Sequence, residues 1–381
     1  MPSASIQNRT DRRIALFLQD LHGGGAERVM LLLAGGIARR GYPVDLVLVR
    51  REGAHAGSIP SEIRVVELGT RRVLGSVPAL VRYLRRERPS ALLTALVHVN
   101  VGGLLAAAAT RGIRVVVTEH NQISRNFASL TSRRLRSAYR LVPMMYRRAW
   151  GIVAVSGGVA DDLAAFSGIG RDRIYVINNP IVTPDIEARA AEPLDHPWIG
   201  PQAPPLFLGV GRLTPQKDFP ALVAAFALVR AGRRCRLAIL GDGPERVAIE
   251  AEADRRGVRD DVLLPGFVDN PYAWMARASV FVLSSRFEGL PTVLVEALAC
   301  GTTVVATDCP SGPREILENG RYGALVPAGD PEALAAAMRD ALDRPRPREL
   351  LVRRAADYGL DAAVDRYLQL LDETMICVGA S

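Results

Sequence analysis

Two carboxylates, Glu288 and Glu296, bracket the run Gly289-Leu290-Pro291-Thr292 with seven residues between them. The apolar run 280–283 ahead of them predicts a strand, and residues 291–300 predict a helix. Proline suits the first turn of such a helix, where no backbone N–H is needed, and Gly289 permits close approach of a ligand to the backbone. Glu288 then falls in the loop before the helix and Glu296 in its second turn. Between them lie the free N–H groups of a helix N-terminus, a natural anion site. A ligand with hydroxyls at both ends and phosphates in the middle, such as a nucleotide-diphosphate sugar, has the matching order of groups. Taken alone, the spacing equally fits a loop acid and a helix acid favoured by the macrodipole, so other loops must decide.

Gly211-Arg-Leu-Thr-Pro-Gln-Lys217 follows the apolar run 206–211. Arg212 as a planar fork and Lys217 as a point charge both suit phosphate oxygens. Lys217 is also the only lysine in the chain. Gly23-Gly24-Gly25-Ala-Glu-Arg28 occupies the matching turn near the N-terminus. Its glycines allow a diphosphate to reach helix N–H groups, although the run is not the Gly-x-Gly-x-x-Gly fingerprint. His120, between Glu119 and Asn121 at the end of a predicted strand, is read as a sugar contact rather than a general base. The loops at Gly241 and at Gly266-Phe267-Val268 suit base or ribose contacts through backbone groups, and equally suit ordinary turns. Ser311-Gly-Pro-Arg-Glu315 reads as a helix start. No Asp-x-Asp occurs, nor a tight Asp/Glu/His cluster, so no protein-held metal is expected. Arg212, Lys217 and helix N-termini would neutralise a diphosphate instead.

Holding these loops requires strands and helices in alternation, and the chain shows two such series. The first has strands at 14–19, 44–49, 64–68, 91–97, 115–118, 152–155 and 174–177. The second has them at 206–211, 236–240, 262–264, 279–283, 303–306 and 323–326, with a last helix at 361–374. Residues 180–205 between the series hold seven prolines and no clear period, which predicts a linker. The expected class is α/β, two Rossmann-like doubly wound parallel sheets facing a cleft, with ligands beyond the carboxyl ends of strands. The expected boundaries are 1–180, a Pro-rich linker at 181–205, 206–360, and a C-terminal helix at 361–381 packing back on the first domain.

The 381 residues, 49% hydrophobic and 23% charged, describe a globular chain of about two domains. Four cysteines without a Cys-x-x-Cys suit a reducing compartment and no structural zinc. The polar N-terminus is not read as a signal peptide. Residues 91–110 lack formal charge, but His98, Asn100 and a Gly pair argue for a strand, a polar turn and an Ala-rich helix rather than a membrane span. The net charge of +8 is sorted: residues 1–185 hold 26 Arg against 13 acids, and the remainder holds 22 basic residues against 27 acids. Different partners for the two halves follow from this. Within the basic half, Arg133, Arg134, Arg136, Arg140, Arg147 and Arg148 are interspersed with Met, Tyr and Trp. That pattern fits either a segment resting on anionic lipid or a helix packed on the sheet with arginines toward water. No nucleic-acid-binding module appears.

With GRLTPQKD at 211–218, GDGPE at 241–245, EGLPTVLVE at 288–296, GGGAERV at 23–29 and CPSGPREIL at 309–317, the chain resembles glycosyltransferase family 4. These are retaining enzymes of the GT-B architecture, and the resemblance spans about residues 14–374. It is similar to the bacterial subgroup that extends lipid-linked or surface glycans. The resemblance implies Glu296 on the ribose, Glu288 and His120 on the donor sugar, Arg212 and Lys217 on the diphosphate, and the 289–292 backbone on sugar and phosphate. It implies a UDP-sugar donor, with GDP-mannose next, no metal or other cofactor, and transfer of a hexose or N-acetylhexosamine; front-side attack is expected because no carboxylate stands out as a nucleophile on the acceptor side and Glu288 is better placed as a binder. A polyprenyl-diphosphate-linked or other glycan acceptor at the inner face of the cytoplasmic membrane is expected. A nucleotide-sugar 2-epimerase of the same architecture and a non-catalytic nucleotide-sugar binder are the alternatives.

Overall fold

Most strands are runs of Val, Ile, Leu and Ala buried on both faces, which is why they read as continuous apolar stretches rather than as alternation. The computed structural model describes residues 12–22, 25–53, 55–110 and 112–376, with side chains to 372. The chain divides into two units at Pro180/Ile181 and again at Gly359/Leu360.

In the first unit, β1 (Ile14–Leu18), β2 (Val44–Leu48), β3 (Arg64–Glu67), β4 (Ala91–Ala95), β5 (Arg114–Glu119), β6 (Gly151–Ala154) and β7 (Ile174–Val176) form a parallel sheet in the order β3-β2-β1-β4-β5-β6-β7. In the second, β8 (Leu206–Val210), β9 (Arg236–Leu240), β10 (Val262–Gly266), β11 (Val280–Leu283), β12 (Val304–Thr307) and β13 (Ala324–Val326) pair in the order β10-β9-β8-β11-β12-β13, again parallel. Each sheet runs outward one way from its first strand and then the other way. The switch points are β1/β4 and β8/β11, and such points open a ligand crevice at the carboxyl ends of the strands.

The helices of the first unit are α1 (Gly25–Arg39), α2 (Val73–Glu87), α3 (Val97–Ala108), α4 (Ile123–Ser129), α5 (Arg133–Met145) and α6 (Gly157–Ser167). The second unit carries α7 (Asp185–Ala191), α8 (Phe219–Arg230), α9 (Arg246–Arg255), α10 (Pro271–Met275), α11 (Thr292–Ala299), α12 (Pro313–Ile316), α13 (Pro331–Asp343) and α14 (Arg348–Ala356). The last helix, α15 (Leu360–Ile376), packs on α1. Leu360, Val364, Tyr367 and Leu370 join Met30, Leu33 and Ile37 in the core of the first unit. Gly36 permits this approach, since a Cβ there would lie 2.4 Å from Val364 Cγ2. Arg40 pins the same contact by pairing with Asp361 and Asp365 at 2.8 Å each. The core of the second unit gathers Phe207, Phe226, Leu237, Ile239, Val282, Leu334 and Met338.

Several elements differ from the sequence reading, among them α4, which forms at Ile123–Ser129 where no helix is expected. The 181–205 segment is not featureless linker: α7 forms inside it, buries Ile186 and Ala190, and is tied to α10 by Asn270 Nδ2 donating to Arg189 O at 2.8 Å. The polar turn expected near His98 and Asn100 is the first turn of α3. Helix is tolerated there because Asn100 Nδ2 finds Thr118 O at 3.1 Å and Glu119 Oε1 at 2.9 Å. α14 follows Pro345 and Pro347 and carries three arginines among its nine residues, which hid it in the sequence, yet Leu351 and Ala355, one turn apart, are fully buried.

Candidate functional site

At the β8/β11 switch point the two strand-to-helix loops are stitched together. Arg286 N donates to Gln216 O at 2.8 Å, Gln216 Nε2 to Phe287 O at 2.9 Å, and Ser284 Oγ to Lys217 O at 2.8 Å. This stitching brings Lys217 Nζ to 2.6 Å from Glu288 Oε1, with the side chains 17% and 7% exposed. Ser285 Oγ donates to the same oxygen at 2.6 Å, and Gln216 Nε2 lies 3.4 Å from Oε2. Asp218, held at φ 49°, accepts from Arg286 Nε at 2.7 Å. Neither charge of the Lys217–Glu288 pair is therefore buried alone, the arrangement that would be costly.

Beside the pair, α11 starts at Thr292, one residue later than the sequence implied, because Pro291 is extended at φ −69°, ψ 100° and serves as the N-cap. No side chain caps this terminus, so a cation, a carboxylate and a helix N-terminus converge. Gly289, Leu290 and Pro291 are buried and Thr292 half-buried. Ser311 Oγ donates to Gly289 O at 2.8 Å, which ties in a third loop. Glu296 is on the second turn of α11, 3% exposed, with Tyr272 OH 3.3 Å from Oε1.

The neighbouring strand ends stack their loops in register: Gly211 N donates to Leu240 O at 2.9 Å, and Gly241 N to Gly266 O at 2.8 Å. Gly241 has φ 132°, and a Cβ there would lie 2.0 Å from Gly211 O, so loop packing alone demands glycine. Phe267 is 78% exposed just beyond Gly266, and Val268 is half-buried. Arg212 is exposed and makes no ion pair among the described residues. Cys235, Cys300 and Cys309 are buried, and burial pushes their thiols up to about 11, 12 and 12, so none is a ready nucleophile.

In the first unit His120 follows β5 directly and is 7% exposed, with Nε2 3.2 Å from Thr118 Oγ1. Burial lowers its pKa to about 4, so the ring is neutral. The preceding Glu119 accepts from Tyr146 OH and from Asn100 Nδ2, yet burial outweighs these bonds and raises its carboxyl to about 7. Sequence reasoning took Asn100 only as a turn residue and passed over Tyr146; as partners of Glu119 they come from α3 and from the turn after α5. Gly25 opens α1, and a Cβ there would meet nothing within 4 Å; Gly24 lies outside the described residues. On α5 the apolar face of Ala138, Tyr139, Val142 and Met145 is buried. Arg133, Arg134 and Arg140, with Arg147 and Arg148 just beyond, are exposed. Arg136 departs from that face: its guanidinium sits 4.7 Å over the Phe127 ring and Nη1 donates to Leu130 O at 3.1 Å.

Among the described residues no group of three or more His, Cys, Asp or Glu side chains is placed to hold a metal ion. No described helix is long and apolar enough to cross a membrane.

Residues 23–184 match the family described as Glycosyltransferase Family 4, and residues 204–344 match Glycosyl transferases group 1. A Campylobacter jejuni relative, N-acetylgalactosamine-N,N'-diacetylbacillosaminyl-diphospho-undecaprenol 4-alpha-N-acetylgalactosaminyltransferase, is 26% identical over 90% of this chain and 94% of its own length. The lipopolysaccharide core biosynthesis glycosyltransferase LpsE of Rhizobium meliloti is 29% identical over 91% and 96%. Among solved structures, HepE of Anabaena, crystallised with UDP and glucose, superposes with a TM-score of 0.75 over 95% of this chain and 100% of its own, at 19% identity. Two sequence families in tandem and two parallel-sheet Rossmann-like units lead to one conclusion: the chain belongs to glycosyltransferase family 4 and has the GT-B fold.

Proposed function

We propose that this protein transfers a hexosyl or N-acetylhexosaminyl group, with retention, from a nucleotide-diphosphate sugar to a lipid-linked or surface-polysaccharide glycan. The observation that carries the reading is the Lys217–Glu288 pair, 2.6 Å apart beside the uncapped N-terminus of α11 at a switch point. Lys217, Arg212 and the α11 N–H groups receive the diphosphate, while Glu288 accepts hydroxyls of the donor sugar and Glu296 those of the ribose. As the bond from the anomeric carbon to the phosphate oxygen breaks, charge grows on the diphosphate, and fixed cations and dipoles stabilise it there. The acceptor oxygen forms its new bond on the face the diphosphate leaves, and the acceptor proton passes to the departing phosphate oxygen. Under this reading His120, held neutral by burial, is a sugar contact, and the diphosphate is neutralised without a metal.

UDP-sugars come first as donors, since HepE holds UDP, and GDP-mannose next. A polyprenyl-diphosphate-linked acceptor draws on the Campylobacter relative, and a lipopolysaccharide one on LpsE. The arginine face of α5 also exposes Leu141 (37%) and Met144 (53%), a mixture suited to anionic headgroups over acyl chains. It favours a cytoplasmic enzyme peripheral to the inner membrane face. The test is a thermal-shift panel of nucleotide sugars, followed by NMR assignment of the anomer formed with the donor that binds. A ligand at 100 times its Kd adds about 2.7 kcal/mol to stability. Absence of a shift with every nucleotide sugar would sink the assignment, and an inverted product would sink retention.

A further inference from the structure

Helix α10 is only five residues long, yet it is fastened on two sides. On one side α7 and the residue after it clasp it. Arg189 Nη2 donates to Asp269 O at 2.7 Å, and Asn270 Nδ2 donates to Arg189 O at 2.8 Å and to Glu192 Oε2 at 2.7 Å. Arg277 Nη1 and Nη2 donate to Ala190 O and Glu192 O at 3.1 and 2.7 Å. On the other side Thr302 Oγ1 donates to Met275 O at 2.6 Å, and Cys300 Sγ lies 3.8 Å from Tyr272 O. Five residues do not sustain a helix by themselves, so these bonds set where α10 stands. Held within them is Tyr272, 1% exposed. The Arg189 guanidinium lies 4.8 Å from the centroid of its ring, and its hydroxyl is 3.3 Å from Glu296 Oε1. A cation over the ring face is attracted to it and draws electron density from the phenol, which makes the hydroxyl a better donor.

We infer, on the reading of Glu296 as the ribose carboxylate, that Tyr272 is a positioning residue: its hydroxyl sets the Glu296 carboxylate to receive both hydroxyls of the ribose, and the α7 clasp sets Tyr272. Side chains of a helix lean toward its N-terminus, so Glu296 reaches from the second turn of α11 toward the end that receives the diphosphate. A carboxylate accepts both hydroxyls of a diol only when its plane faces them, and the terminal torsion of a glutamate is broad. A hydrogen bond to Oε1 supplies the restraint that the torsion lacks. Phenylalanine would fill the same core volume, so packing calls for the ring and not for the hydroxyl. At 1% exposure Tyr272 acts through Glu296 rather than on the nucleotide. The 3.3 Å contact is long for a hydroxyl, which puts the expected effect at the low end for a bond to a charged group, about tenfold.

The experiment is calorimetric titration of the full chain with UDP and with 2′,3′-dideoxy-UDP, or with the guanosine pair if the donor panel identifies GDP. Wild type should prefer the ribonucleotide by about 100-fold, the scale of two hydroxyls on a carboxylate. Tyr272→Phe should cut that preference about tenfold by weakening the ribonucleotide alone. Arg189→Met, which keeps the hydroxyl and removes the cation over its ring, should cut it about threefold. Glu296→Ala should abolish it. A purely structural tyrosine would instead weaken both nucleotides in parallel, with a lower melting temperature and the ratio intact. A ratio unchanged in Tyr272→Phe, or in Arg189→Met if the first variant does not fold, while Glu296→Ala collapses it, overturns the role of Tyr272. A ratio near one in wild type, or unchanged in Glu296→Ala, overturns the ribose reading of Glu296 instead.

Discussion

Replacing Lys217 with alanine tests the donor site at its most connected point. The substitution removes the cation 2.6 Å from Glu288 and leaves a carboxylate that is only 7% exposed, held by Ser285 Oγ at 2.6 Å and Gln216 Nε2 at 3.4 Å. Breaking a fully buried pair from one side costs about 3–5 kcal/mol. The 17% exposure of Lys217 and the two surviving hydrogen bonds bring the expected loss to about 2 kcal/mol. For a unit of this size that is a fall in melting temperature of about 4–8 °C. Adding Glu288→Gln removes the orphaned charge, so the double variant should regain most of that stability. Activity should not follow. Loss of one fixed charge at the leaving diphosphate costs about 100- to 1000-fold in turnover, and neutralising Glu288 cannot restore it. The assays are thermal unfolding with and without UDP, and initial rates of nucleotide release with the donor identified by the panel. A Lys217→Ala enzyme within tenfold of wild-type turnover, with its UDP shift intact, would refute the diphosphate role. A double variant no more stable than Lys217→Ala would refute the pair as the clasp between the loops.

Two groups in the first unit make opposite contributions to stability as pH changes. Glu119, raised to about 7 by burial, stays protonated in the fold above pH 4.5 while the unfolded chain loses its proton, so stability falls as pH rises from about 4.5 to 7. His120, lowered to about 4 by burial, stays neutral while the unfolded chain takes up a proton below 6.5, so stability rises as pH goes from about 4 to 6.5. The two offset one another between about pH 4.5 and 6.5. Glu119→Gln should expose the rising His120 limb, worth up to about 3 kcal/mol, and denaturant melts across that range that show no steeper rise than wild type would contradict the burial argument. At the membrane, Arg133→Glu/Arg134→Glu/Arg140→Glu should abolish sedimentation with anionic phosphatidylglycerol vesicles at low salt while leaving the melting temperature within about 2 °C, since these side chains are exposed. Wild-type binding that is indifferent to salt and to anionic lipid would contradict an electrostatic surface.

Much of this architecture is legible in the sequence because a buried parallel strand has little freedom of composition. Runs such as Ile14–Leu18 and Val280–Leu283 must be apolar on both faces, and their carboxyl ends must carry the loops. The lone lysine and the Glu288–Glu296 spacing marked two of those loops. Where helices form with little apolar surface, sequence reading failed. α14 is rich in arginine, α7 lies among prolines, and the first turn of α3 carries a histidine and an asparagine that only tertiary partners make acceptable. Gln216 and Ser285 gave no signal as partners of Glu288, for hydrogen bonding between loops depends on which strands are neighbours.

The sequence alone determined which residues stand at the strand ends and what charge they bring there. It did not determine that Lys217 meets Glu288, 71 positions later, because that meeting requires β8 to pair with β11 across the switch point. Nor did it determine the protonation of Glu119 and His120. Their neutral forms come from desolvation, a property of surroundings assembled from β5, α3 and the turn after α5. Residue type supplies the chemistry, and the tertiary structure decides which groups stand close enough, and dry enough, to use it.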